Sequence, residues 1–154
     1  MKFSTREDIE APIGYVYKRV SDFPSFERRA LRQGIDVSCR TQGAATVGTI
    51  WDIGFEFRGR ARKVVAELKK LDPEQAIEIE SQSDGLTAIT KVDLVALSAT
   101  RTRVLVSFDM RAKTLTARLL LQSLKLAKAK MNKRFEARVL DYAENVEDDY
   151  RRGT

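Results

Sequence analysis

Acid–base chemistry in this chain would fall to carboxylates and tyrosines, because its 154 residues include no histidine. That absence excludes Ser-His-Asp and Cys-His nucleophilic sites, histidine-ligated zinc and the 2-His-1-carboxylate iron centre. The strand carboxylates are Asp52, Glu56, Glu67, Glu78, Glu80, Asp93 and Asp109. Any of them would act only from an apolar enclosure that raises its pKa. Alternation turns Asp52, Glu56, Glu78, Glu80 and Asp109 away from the apolar face, whereas Glu67 and Asp93 lie on strands that alternate poorly, so their side stays open. Thr5, Glu7, Thr90 and Tyr142 are the inward polar candidates, read by default as hydrogen-bonded groups near a cavity mouth. The single cysteine, Cys39, excludes an intrachain disulfide and a four-cysteine metal site. It alternates with Ile35 and Val37, has no adjacent Lys or His, and reads as a small buried apolar side chain. No catalytic residue, metal ligand or cofactor is assigned.

The stronger signal is apolar. Trp51, Ile53, Phe55 and Phe57 alternate with Asp52, Glu56 and Arg58; Val104, Val106, Phe108 and Met110 alternate with Arg103, Ser107, Asp109 and Arg111. Period two means strands with one apolar and one wet face. After Lys113 the period changes to 3.6, and residues 114–146 contain no Gly or Pro. That predicts one helix, roughly 50 Å long at ~1.5 Å per residue, with Leu124, Met131 and Phe135 on its apolar stripe. Trp51, Ile53, Phe55, Phe57, Val106, Phe108, Met110, Leu124, Met131 and Phe135 are therefore the candidate lining of a ligand cavity. For each of them singly, ordinary core packing is the commoner role.

The other elements follow from turn and cap signals. Residues 2–10 read as a strand, and Pro12 opens a helix that ends near Ser21-Asp22-Phe23-Pro24. Ser25 is the expected cap of a short helix from Phe26 to Arg32, stopped at Gly34. Strands are expected at 35–40, 49–58, 61–70, around Ile77 and Ile79, at 86–97 and at 102–112, with turns at Arg58-Gly59, Asp72-Pro73 and Asp84-Gly85. Six consecutive strands on short turns form an antiparallel sheet. The expected fold is α+β: a curved antiparallel sheet of about seven strands wrapped around a long C-terminal helix, with two short helices after the first strand. No linker or repeat divides 1–154, so one domain is expected.

This order resembles the START-like helix-grip superfamily (SRPBCC), which includes polyketide cyclase/dehydrase-like proteins and the birch-pollen-allergen group. The resemblance spans nearly the whole chain. Its marks are the run Glu10-Ala11-Pro12-Ile13-Gly14-Tyr15-Val16-Tyr17, the link Val20-Ser21-Asp22-Phe23-Pro24-Ser25-Phe26, the strand entry Val47-Gly48-Thr49 and the turn Leu68-Lys69-Lys70-Leu71-Asp72-Pro73-Glu74. The resemblance implies a cavity for an apolar or aromatic small molecule, which some members carry or sense and others transform. It supplies no universal catalytic motif.

Charge is segregated. Residues 111–138 hold nine bases and one acid, Glu136, a local charge of +8 against +6 for the chain. A solvated helix face is the default reading; an anionic lipid or protein surface is the functional one. Nucleic acid is not expected, because the basic stretch lacks interleaved exposed aromatics. The acidic run Glu144 to Asp149 could pair with the basic stretch of a second copy, so a homodimer stays open. Charges at Lys2, Arg6, Glu7 and Asp8 replace the apolar core of a signal peptide, and no apolar run approaches the roughly 20 residues of a membrane span. A cytoplasmic protein is expected.

Three functions follow as expectations. The first is binding, carriage or sensing of an apolar or amphipathic small molecule between sheet and helix, with an Arg or Tyr at the mouth holding a polar end. The second is a cyclase/dehydrase-like or hydrolase-like enzyme working through Tyr or carboxylate, which an inward Glu67 or Asp93 would favour and which both on the wet face would count against. The third is an interaction protein using the basic helix face on an acidic lipid or protein surface.

Overall fold

The computed structural model describes residues 1–153. The alternating segments form seven strands: β1 (Lys2–Ile9), β2 (Asp36–Cys39), β3 (Ile50–Phe57), β4 (Arg60–Asp72), β5 (Ala76–Ser83), β6 (Leu86–Ser98) and β7 (Arg101–Ala112). They make one antiparallel sheet in the order β1-β7-β6-β5-β4-β3-β2. The first strand thus pairs with the last, Phe3 opposite Phe108 and Ile9 opposite Thr102. Two of the tight turns follow from local chemistry. Arg58-Gly59 and Asp84-Gly85 both have positive φ at their two central positions, the type I′ geometry whose twist matches a two-residue hairpin.

Two short helices follow β1: α1 (Ile13–Val20) and α2 (Phe23–Arg32). Helix α2 starts three residues earlier than the expected Phe26. Its cap is Asp22, whose carboxylate accepts from the Ser25 backbone N–H at 3.3 Å, not Ser25 itself. Pro24 in the first turn loses nothing by lacking an N–H.

The single helix expected over 114–146 is two helices, α3 (Leu115–Lys125) and α4 (Lys128–Arg151). Thr114 caps α3 by accepting from the Ala117 N–H at 3.2 Å. At the break the Ala127 N–H bonds Leu124 O, three residues back, and the Met131 N–H then bonds Ala127 O to begin the new helix. No Gly or Pro causes this. The two helices are anchored on different surfaces. Helix α3 buries Ala117, Leu121 and Leu124 and packs on β7. Helix α4 packs on β1 and α1, through Phe135 against Phe3, the Arg19–Asp149 ion pair at 2.8 Å and the Glu147 carboxylate accepting from the Glu10 N–H at 2.7 Å. The helix is interrupted at the exposed Leu126-Ala127 step between these two anchored stretches.

The core lies between the sheet's concave face, α1 and the second half of α4. Ile9, Val16, Leu68, Thr102 and Val146 are fully buried there. Thr102 satisfies its hydroxyl by donating to Ala11 O at 2.8 Å. Among the described residues no helix is long and apolar enough to cross a membrane.

Candidate functional site: a concave groove and its arginine

Residues opposite one another across a sheet point to the same side. One rung of the concave face therefore runs Leu68, Ile79, Thr90, Phe108, Phe3, and the next runs Trp51, Ala66, Ser81, Ala88, Met110. Burial is graded along this face. Toward α1, Trp51, Leu68, Ile77, Leu94 and Val104 are buried. Toward the hairpin turns at 58–59 and 84–85, the inward-facing Phe55, Phe108 and Met110 are only partly buried and Phe57 is 37% exposed, while the partly buried Ile53, Ile79 and Val106 pack against the edge of the core. Inward apolar side chains that keep accessible surface mean that the helix layer does not fill that end. The sheet is gripped at one end and grooved at the other.

The strand residues expected to line a cavity all lie on this face. Trp51 sits in its packed part, Ile53 and Val106 pack against the edge of the core, and Phe55, Phe57, Phe108 and Met110 sit toward the open end. From the helices, Leu124 is buried on α3, while Met131 and Phe135 are partly buried on α4, the Phe135 ring lying 6.1 Å from that of Phe3.

The carboxylates left open by the sequence face outward. Glu67 stands opposite Ile50 and Glu80 on the convex side, 2.9 Å from the Lys69 ammonium; Asp93 stands opposite Ala76 and Leu105 and is exposed. Thr5, Glu7 and Thr90 do face inward, opposite Val106, Val104 and Phe108. Glu7 is the only carboxylate that the strands put on the concave face, among the described residues.

Arg62 is not among the residues that the sequence pattern singles out. It stands opposite Phe55 on the concave face, with its guanidinium carbon 6.0 Å from the centre of the Phe57 ring. Its Nε is cut off from solvent and has no hydrogen-bond partner. A buried donor on a permanent cation is costly to leave unpaired. A signal exists in the alternation: Arg62 shares the parity of Val64 and Ala66, whose apolar side chains mark the inner face. Beside it, Arg58 lies 5.4 Å from the same ring and donates to the Ser123 hydroxyl at 2.8 Å, joining the β3–β4 turn to α3 across the groove's open end.

Tyr142 lies away from the open end. Its ring packs 5.6 Å from Phe26 on α2, with the Arg29 guanidinium 5.7 Å away. Its hydroxyl is buried without a partner. Burial pushes its pKa up to about 12, against the smaller opposing pull of Arg19 and Arg29. The folded state therefore holds this proton more tightly than the unfolded chain, and stability present below pH 10 is lost as pH rises from there toward about 12. Tyr142→Phe removes an unpaired hydroxyl, so it is expected to unfold within about 1 kcal/mol of the parent near neutral pH or to gain stability. It should also lose less stability than the parent above pH 10, as read by urea unfolding at both pH values.

A separate pocket of about 700 Å³ lies beside α1, α2 and the β2–β3 loop, lined among others by Tyr17, Phe23, Glu27, Cys39, Trp51 and Leu71. Of the expected lining residues, Trp51 alone is part of its wall. The Trp51 ring lies 5.3 Å from that of Phe23, and its Nε1 donates to the Glu27 carboxylate at 2.6 Å. Cys39 is partly buried, with its sulfur 3.9 Å from the Thr41 hydroxyl.

No family model matches the chain, and no curated protein matches it by sequence. Solved structures do match its shape. TTHA0849 from Thermus thermophilus is 16% identical, with a TM-score of 0.67 over 95% of this chain and 97% of that one. The Zhui aromatase/cyclase from Streptomyces sp. R1128 is 15% identical, with a TM-score of 0.61 over 94% and 93%. Norcoclaurine synthase from Thalictrum flavum, in complex with dopamine and hydroxybenzaldehyde, is 13% identical, with a TM-score of 0.67 over 100% and 88%. At such identities the likeness concerns architecture, and it agrees with the strand order and gripping helix described above: the chain has the helix-grip fold.

Proposed function

We propose that the protein binds an amphipathic small molecule whose apolar body lies along the concave groove and whose anionic or acceptor end meets Arg62. One observation carries this reading: inward-facing aromatic, aliphatic and Met side chains retain accessible surface beside a guanidinium whose Nε has no partner. Ile53, Phe55, Phe57, Val106, Phe108 and Met110 supply contact area, and Leu124, Met131 and Phe135 supply it from the helix side. Apolar area gives affinity, and the Arg62 guanidinium gives orientation. The solved structures of similar shape include a cyclase and a synthase that hold small organic molecules or whose names denote acting on them. That supports the class of function without naming the ligand.

The test is native mass spectrometry of the purified protein, followed by extraction of whatever is released on unfolding. The expected result is a discrete extra mass from an apolar acid or phosphate-bearing species. A clean apo mass, together with no saturable binding of fatty-acid or aromatic-acid probes, would overturn the proposal. A catalytic reading has one observation in its favour, Glu7 on the same concave face. Turnover lost in Glu7→Gln with probe binding kept would establish it.

A further inference from the structure

Helix α3 has two apolar faces. Ala117, Leu121 and Leu124 are buried on one. On the other, Leu115 is 73% exposed and Leu119 57% exposed, and Leu126, in the bend that follows, is 92% exposed. Leu119 and Leu126 follow Leu115 by four and eleven residues, which at about 100° per residue puts all three within about 40° of one another. A solvated helix face is normally polar, and aligned exposed leucines mark a surface that something covers.

The surroundings say what that is. Arg118 and Lys125 lie together along one edge of the leucine row, and no acidic residue occurs between Asp109 and Glu136. The β3–β4 turn, carrying Arg58 and Arg60 beside the half-exposed Phe57, is tied to α3 by the Arg58–Ser123 hydrogen bond. Apolar side chains in a mostly basic field, with Asp84 on the β5–β6 turn as the acid nearest the start of α3, suit an anionic lipid surface, which takes leucines among its acyl chains and bases at its headgroups. A second copy of this face suits it poorly, because it would bring the same bases together with no acid between them. Most of the acidic end of α4 is already engaged: Glu147 is held by the Glu10 N–H, Asp148 by Arg151 and Asp149 by Arg19, which leaves Glu144 exposed.

We propose that the outer face of α3, with Leu115, Leu119 and Leu126 beside Arg118 and Lys125, docks on an anionic membrane surface. The groove's open end lies beside this face, so docking would bring the opening to the lipid. The inference does not depend on the groove binding a ligand, and the mass-spectrometric result leaves it untouched.

The experiment is co-sedimentation of the full chain with phosphatidylcholine vesicles, with and without phosphatidylserine, at low and high salt. Binding is expected only to the phosphatidylserine vesicles, and to fall steeply as salt screens the bases. The triple variant L115S/L119S/L126S alters only exposed side chains and should keep its circular dichroism and unfolding midpoint while binding roughly a hundredfold more weakly. The pair R118E/K125E should lose binding to the same vesicles. The proposal is overturned if the parent ignores phosphatidylserine vesicles at low salt, or if the triple variant binds them as well as the parent. Conversion of a dimer to a monomer by the triple variant would show that a second copy covers the row.

Discussion

Trp51→Ala is expected to lower the free energy of unfolding by about 3–5 kcal/mol. Set against the about 5–15 kcal/mol that holds a typical domain folded, the loss is large enough to leave a substantial unfolded fraction on mild warming. Three contributions go together. The indole is 6% exposed, in the packed part of the concave face, opposite the buried Ala66. Its ring meets Phe23, so its loss also loosens the entry to α2. Its Nε1 is the donor that the Glu27 carboxylate accepts at 2.6 Å, and without it that carboxylate has to find water in a half-buried setting. Trp51→Phe separates these contributions. It keeps most of the ring packing and removes only the donor, so about 1–3 kcal/mol should go. Because Trp51 is the chain's single tryptophan, denaturant unfolding must be followed by circular dichroism. If alanine cost no more than phenylalanine, the packed end would be looser than its burial indicates.

Substitutions along the groove should split binding into two parts. Phe108→Ser removes an aromatic side chain from the middle of the groove and should weaken a long-chain carboxylate and the corresponding alcohol alike, by roughly a hundredfold. Arg62→Gln should weaken only the carboxylate, by about tenfold to a hundredfold, since a charge-assisted hydrogen bond contributes about 1.5–3 kcal/mol. The measurement is a titration of both ligands against the parent and each variant, with unfolding midpoints as the control. Equal losses for acid and alcohol in Arg62→Gln would remove the arginine from the site, and an unchanged affinity in Phe108→Ser would place the ligand elsewhere, the pocket beside Trp51 and Glu27 being the alternative.

The legibility of this architecture varied with local regularity. Strands β3 and β7 could be read because each has one wet face, so Trp51 to Phe57 and Val104 to Met110 declared their sides. Strand β4 could not be read throughout, because its pairing with β5 shifts between Leu68 and Lys70. A bulge there breaks period two, and it left the side of Glu67 open. Arg62 lies one step back along the alternation that places Val64 and Ala66 inward; its charge, not its position, kept it from notice. Helix α3 was opaque for the opposite reason. Leu119-Leu120-Leu121 covers most of a turn, so hydrophobicity cannot say which leucine is core. The bend itself has no residue-level signal; it lies between two stretches anchored on surfaces that only the folded sheet provides. The pocket beside α1 and α2 joins residues from Tyr17 to Leu71 across a loop, a juxtaposition with no local signature.

The pairing of β1 with β7 has a consequence in time. Phe3 waits for Phe108, some hundred positions later in synthesis, before its strand has a neighbour. The meander from β2 to β7 can zip by successive hairpins of short separation, but closure of the sheet and the seating of α4 both require the far end of the chain. Contacts of such long separation slow folding. On the ribosome, at about 5–20 residues per second, the apolar concave face would spend several seconds formed but uncovered. During that interval the groove's own aromatic wall is the surface most exposed to aggregation, and a ligand or chaperone that occupied it early would protect the nascent chain.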